Sequence, residues 1–110
     1  MVREPIERLK EKILKENLWI FIFKILKEKD EYAYEIRKKI KKEFGFLAGN
    51  VTAYKVLYLL ERHGFIEKIK IKHTSGGPER KYYKILPKGI ELLFEGRDIL
   101  EYIINTLWES

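Results

Sequence analysis

Hydrogen-bonding and cationic side chains are concentrated in one stretch of the chain, from Asn50 to Phe65. Its apolar residues recur at spacings of three and four, the period of one helix face: Ala53, Val56, Leu57 and Leu60. The opposite side of such a helix is expected to carry Thr52, Lys55, Leu59 and Arg62, with Tyr54 and Tyr58 on a flank. The hydroxyl, phenol and cationic groups there suit hydrogen bonds to base edges and ion pairs with phosphates. We expect six residues of this helix to make these contacts: Asn50, Thr52, Tyr54, Lys55, Tyr58 and Arg62.

A lysine-rich hairpin is expected directly after this helix, which Gly64 should end. Residues 65–74 alternate, with lysines on one face and Ile69 and Ile71 on the other, and residues 80–86 return after the turn Ser75-Gly76-Gly77-Pro78. A lone hairpin is marginal in water, so Ile69, Ile71 and one tyrosine are expected to lie against the helices. Six cations then remain for phosphate contacts: Lys68, Lys70, Lys72, Arg80, Lys81 and Lys84.

The distribution of charge favours a polyanionic partner. Residues 37–84 hold 13 basic and 4 acidic side chains, whereas residues 1–36 are neutral and residues 85–110 carry a small negative charge. Because all of the net positive charge lies in the middle of the chain, it is better explained by a nucleic acid than by solubility alone.

Enzymatic and metal-dependent classes lack support in the sequence. There is no cysteine, and the two histidines, His63 and His73, are too few for a zinc site. No nucleophile is paired with a base, and the glycines at 76–77 are not followed by the Lys-Ser/Thr of a phosphate loop. We expect no catalytic residues, no metal and no cofactor.

Four more helices are expected besides the one at Asn50, and three of them precede it in the chain. Residues 3–15 show one apolar stripe, and the almost wholly apolar residues 18–26 fit a buried strand or helix, of which we predict the helix because Asn17 can act as an N-cap. After a polar break at residues 29–31, Tyr32 to Phe44 again has helical spacing. Its outer lysines and Arg37 are either a solvated face or a second contact to the DNA backbone.

The final segment, Pro87 to Trp108, is expected to be a helix with more apolar surface than one small domain can cover. Gly96 could break or kink this helix. We expect it to pair with a second copy of the chain. The first helix either packs on its own domain or reaches the second subunit. The expected dimerisation residues are Ile6, Leu9, Ile13, Leu93, Leu100, Ile104, Leu107 and Trp108.

At 110 residues the chain is expected to form one structural domain. Charged first residues and the short apolar run at 18–23 predict neither a secretory signal nor a membrane span, and therefore a cytoplasmic protein. Glutamine is absent, while lysine, glutamate and isoleucine are abundant, a composition that favours a thermophilic source.

Several motifs resemble those of the PadR-type transcriptional regulators, over residues 14–95. The most specific are Tyr32-Ala33-Tyr34-Glu35-Ile36 and the hairpin sequences Gly76-Gly77-Pro78 and Arg80-Lys81-Tyr82-Tyr83. The resemblance implies an α+β, mostly helical fold: a winged helix-turn-helix with a two-stranded wing, in residues 1–86, and a C-terminal dimerisation helix, in residues 87–110. Ala33, Lys55 and Leu59 stand where the family usually has glycine, proline and arginine.

What the resemblance implies for function is a homodimeric repressor that binds a pseudo-palindromic operator in double-stranded DNA. The helix at Asn50 would enter the major groove. Trp19 and Trp108 either pack in the apolar dimer seam, the use that we favour, or stack a small aromatic effector between the subunits. The alternative left open by the residues is a dimeric interaction module that binds an acidic protein.

Overall fold

A nearly all-apolar helix, α2 (Leu18–Glu28), lies at the centre of the molecule. The computed structural model describes residues 4–73 and 79–109, and only the backbone of residues 70–73 and 79–80. Phe23 and Ile22 of α2 are completely buried. The elements that follow α2 are β1 (Glu31–Tyr32), α3 (Ala33–Phe44), α4 (Asn50–Arg62), β2 (Ile66–His73), β3 (Glu79–Ile85) and α5 (Pro87–Trp108), with α1 (Pro5–Lys15) in front. Of these, α3, α4, β3 and α5 pack against α2.

The five expected helices are confirmed, but the reason given for the start of α2 was wrong. Asn17 occupies the N-cap position and makes no capping bond there. Its Nδ2 instead donates at 3.0 Å to the backbone oxygen of Lys12, a carbonyl near the end of α1 that also accepts a hydrogen bond from the Glu16 amide. The side chain of Asn17 therefore bonds to the end of α1 and not to the start of α2.

The sheet has three strands, in the antiparallel order β1-β3-β2, and not the two strands that were expected. Glu31 pairs in register with Tyr83, and Tyr32 with Tyr82. Glu31 had been assigned to a polar break, yet it is 5% exposed and its carboxylate forms an ion pair with Lys39 of α3. This pair ties the added strand to the helix that follows it.

The hairpin is anchored at its base, and the expected contact of Ile69 with the helices is wrong. A register shift between Lys68 and Lys70 interrupts the alternation of β2, and Ile69 is 41% exposed. Ile66, Tyr83 and the half-buried Ile85 hold the hairpin against the core instead. The expected burial of Ile71 lies outside the described side chains.

The last helix is continuous from Pro87 to Trp108, so the break considered at Gly96 does not occur. Its first half packs on α2 through the half-buried Leu92 and Leu93. Beyond Gly96 its residues are exposed, and α1 has no buried residue. None of the described helices has the length and hydropathy that crossing a bilayer requires.

Candidate nucleic-acid interface

The outer surface of α4 is a row of exposed side chains at helical spacing. Ala53, Leu57 and Leu60 point into the core. The opposite side therefore carries the residues half a turn away, all of them exposed: Val51, Lys55, Tyr58 and Arg62. We call these four residues the outer row. Thr52 and Leu59 were expected on this side and Tyr58 on a flank, but Thr52 and Leu59 lie on one flank of the row and Tyr54 on the other.

All six residues expected to read DNA on α4 are exposed. Three of them already have partners within the chain. Tyr58 Oη accepts a hydrogen bond from Arg62 Nη1 at 3.1 Å, which keeps both groups on the outer row. Asn50 Oδ1 accepts from Arg37 Nη1 at 3.2 Å, so this amide is held beside α3. Its Nδ2 group is the part that faces a base most readily.

Arg37 is a functional candidate that the sequence analysis treated only as part of a charged surface. Its guanidinium donates twice to the Ala48 backbone oxygen, from Nε at 3.1 Å and from Nη2 at 2.9 Å, besides its bond to Asn50. The turn it grips begins at Gly45, whose φ of +79° ends α3. Arg37 thus fixes the first turn of α4 relative to α3. A single arginine among lysines was the available signal, since only arginine has this forked geometry.

Three of the lysines of α3 are left for an anion, and one is not. Lys38, Lys41 and Lys42 are exposed. Lys39 forms the ion pair with Glu31, and this hydrogen bond raises the pKa of Lys39 despite partial desolvation. Lys39 therefore stabilises the fold and contributes little to the surface charge.

The wing contributes cations of three kinds. Lys81 and Lys84 are exposed on opposite faces of β3. Lys68 is exposed but lies 3.6 Å from a carboxylate oxygen of Glu61 at the end of α4, which links the wing to that helix. The side chains of Lys70, Lys72 and Arg80 lie outside the described residues.

The tyrosines divide into two groups. Tyr54 and Tyr58 are exposed on α4. Tyr83 is buried under the sheet, and desolvation raises the pKa of its hydroxyl. Tyr82 is half-buried, with its ring centroid 5.3 Å from that of Tyr32. Of these four tyrosines, only Tyr54 and Tyr58 are exposed.

A second feature is an apolar cavity of about 460 Å³ between α1, α2 and the middle of α5. Trp19, Phe21 and Phe44 supply its aromatic lining. Lys24 also reaches it, but its Nζ pairs with Glu28 and Glu43, and the Glu28 bond is the main reason that the pKa of Lys24 is raised. Trp108 is not among the lining residues.

The matches with known proteins agree with this architecture. A family model, the transcriptional regulator PadR-like family, matches residues 22–95. An uncharacterized protein from Lysinibacillus sphaericus is 33% identical over 97 residues, which cover 83% of this chain and 88% of that protein.

Solved structures of similar proteins extend the match to the fold. A PadR-like transcriptional regulator from Bacillus cereus is 31% identical with a TM-score of 0.69, and covers 90% of this chain and 98% of its own. A PadR-like transcription factor from Bacteroides fragilis is 27% identical with a TM-score of 0.75, and the match covers 91% of this chain and 95% of that chain. The chain therefore belongs to the PadR-like family of transcriptional regulators and has their winged-helix fold.

Proposed function

We propose that this protein is a homodimeric transcriptional repressor that binds a pseudo-palindromic operator in double-stranded DNA. The observation that carries the proposal is the outer row of α4, a rigidly held helix face that no part of the described chain covers. It stands between two basic surfaces, the exposed lysines of α3 and those of the wing. A helix exposed in this way fits the major groove, with cations on either side for the phosphates.

In the proposed complex the N-terminal half of α4 reads base edges. Asn50, Thr52, Lys55 and Tyr58 form the base-facing set, and Tyr54 and Arg62 extend it toward the backbone. The wing contacts the flanking phosphates through the cations named above: Lys68, Lys70, Lys72, Arg80, Lys81 and Lys84. Since residues 37–84 hold 13 basic and 4 acidic side chains, several phosphates can be neutralised by each subunit.

Pairing of two chains is supported by apolar side chains that their own chain does not cover. On α5 beyond Gly96 they include Leu100, Ile104 and Leu107 at spacings of four and three, typical of a helix-helix seam. Trp108 extends this row, and Leu93, which is half-buried against α2, begins it. On α1 the exposed Ile6, Leu9 and Ile13 form a second stripe. A second copy of the chain is the partner that would cover both stripes at once.

The proposal divides the chain by role: residues 1–86 bind DNA, and residues 87–110 hold the dimer. Two copies of α4 would then enter successive major grooves about 34–36 Å apart, so the symmetry of the operator follows that of the protein. A dimer seated over a promoter excludes polymerase, which is why repression is proposed. Action on DNA also implies a cytoplasmic protein.

The DNA-binding part is tested by fluorescence anisotropy with DNA from upstream of the protein's own gene. We expect a sequence-specific complex whose affinity falls by roughly a thousandfold or more between 50 and 200 mM salt. Lys55→Ala should weaken specific binding by about 1–3 kcal/mol, the contribution of a good base contact. Lys10→Ala removes the same charge from α1 and should leave specific DNA binding unchanged.

Two outcomes would contradict this part of the proposal. One is binding without sequence preference or with a flat salt profile. The other is no binding to any fragment together with capture of an acidic protein, which would favour the interaction module instead.

The dimer is tested by sedimentation of two glutamate variants of α5. Leu100→Glu places a charge in the proposed seam and should give monomers that bind the operator weakly. Tyr102→Glu places the same charge on the opposite side of the helix, where Tyr102 is exposed, and should remain dimeric. If both variants behave alike, the seam is not where we propose.

A small aromatic effector is the remaining part of the proposal, and its site is the cavity beside Trp19. Its apolar aromatic lining suits a flat ring, and binding there should quench the fluorescence of Trp19. Titration of wild type and Trp19→Phe with candidate aromatic compounds tests this. Unchanged fluorescence and unchanged operator affinity in wild type would exclude such an effector.

A further inference from the structure

Val51 is the most exposed large hydrophobic side chain among the described residues, at 82%. It is the second residue of α4 and the first of the outer row. An aliphatic side chain here makes no hydrogen bond and carries no charge, so neither solvation nor phosphate binding explains it. Leu47, four residues earlier in the turn before α4, is exposed as well.

The position of Val51 is fixed more firmly than that of the long cations around it. Arg37 holds the residues on both sides of Gly49, the carbonyl of Ala48 and the side chain of Asn50. A β-branched side chain within a helix has one strongly preferred rotamer. The two methyl groups of Val51 are therefore presented at a defined place and need little ordering on binding.

Only one base offers a methyl group in the major groove, thymine at C5. At guanine, adenine or cytosine, the same valine would displace water from a polar atom of the base edge. Valine offers no hydrogen bond in return, so the contact would be unfavourable. We propose that Val51 is a specificity-determining residue that contacts the C5-methyl group of a thymine in each operator half-site. This inference rests on the proposed function, since it assumes that α4 enters the major groove.

The test replaces thymines of the operator one at a time by uracil, which lacks the methyl group and keeps every hydrogen-bonding atom. At one position per half-site we expect wild-type affinity to fall about fourfold, equivalent to about 0.8 kcal/mol for one buried methyl group. Replacing that thymine in both half-sites should give a loss of roughly fifteenfold, because the two losses multiply.

Val51→Ala identifies the residue responsible. It should bind thymine and uracil operators equally at the critical position, and alanine at an exposed helical site leaves folding intact. Leu59→Ala, on the flank of the outer row, should keep the full sensitivity of the wild type to uracil. The difference between the two variants is the signal that assigns the methyl contact to Val51.

The failures are distinguishable. If the protein binds no operator specifically, the proposed function itself fails. If it binds specifically but no uracil weakens binding, or if uracil weakens Val51→Ala as much as the wild type, the contact to thymine is refuted while the proposed function stands.

Discussion

Replacing Gly89 by alanine should destabilise the protein, because the first turn of α5 lies directly against the base of the wing. A Cβ atom on Gly89 would lie 2.5 Å from the backbone oxygen of Phe65 and 2.8 Å from Cγ1 of Ile85. The Phe65 oxygen is held in place, since it accepts a hydrogen bond from the Leu86 amide at 2.9 Å. Relief of the clash therefore requires α5 and the wing to move apart.

The size of the effect follows from two opposing terms. Forcing an extra methyl group into a packed site costs typically about 1–3 kcal/mol. Alanine is favoured over glycine in a helix interior by about 1 kcal/mol, and by less in the first turn, where Gly89 lies. We expect a net loss of about 1–2 kcal/mol in the free energy of unfolding, which lowers the Tm by about 4–8 °C for each kcal/mol lost.

Gly96→Ala is the matched control in the same helix. There the added Cβ would meet only the ends of two side chains, Cδ1 of Ile20 and Cη2 of Trp19, both at 3.2 Å. Small rotations of those side chains relieve the contact, so we expect unchanged stability or a gain of up to about 1 kcal/mol.

Thermal and urea unfolding followed by circular dichroism, all at one protein concentration because association would shift the Tm, measure both variants. If Gly89→Ala is as stable as Gly96→Ala, a methyl group at position 89 does not force α5 and the wing apart, and the argument from their close contact is refuted.

Two further predictions concern the turn before α4 and the alkaline limit of stability. Arg37→Lys should weaken operator binding about tenfold with a smaller loss of stability, because an ammonium cannot reproduce the forked bonds to Ala48; equal affinity in anisotropy would contradict it. Stability should be highest below about pH 10 and fall as the pH rises further, since the pKa of Tyr83 is raised by burial and that of Lys39 by its bond to Glu31. The fold favours the neutral hydroxyl of Tyr83 and the charged ammonium of Lys39, and deprotonation removes both. Tyr83→Phe should therefore reduce the fall in the free energy of unfolding at alkaline pH. An unchanged fall in that variant would refute the burial argument.

The periodic elements of the fold were predictable because their signal is repeated locally. Four segments showed apolar residues at helical spacing, and each forms a helix. For α2 the periodicity left strand and helix equally open, and the prediction of a helix was right although the capping role given to Asn17 was wrong. The side chain of Asn17 could bond to either neighbouring helix, and only their relative placement decided which.

The wing shows where local pattern fails. Alternation predicted that Ile69 would face the helices, but one register shift in β2 turns it outward. The third strand, Glu31–Tyr32, is too short for any period to reveal, and it exists because β3 lies beside it. The dimerisation residues, the thermophilic source and the aromatic effector stay predictions.

By itself, then, the sequence determined the number and order of the helices, the basic hairpin, the family resemblance and which side of α4 is turned away from the core. Tertiary structure alone decided that Arg37 holds the turn before α4, that Lys39 pairs with Glu31, and that Val51 is the most exposed large hydrophobic residue of the described chain. The physical reason is range: a helix is specified by contacts three and four residues apart, whereas a strand's partner or a guanidinium's acceptor depends on segments brought together only by packing.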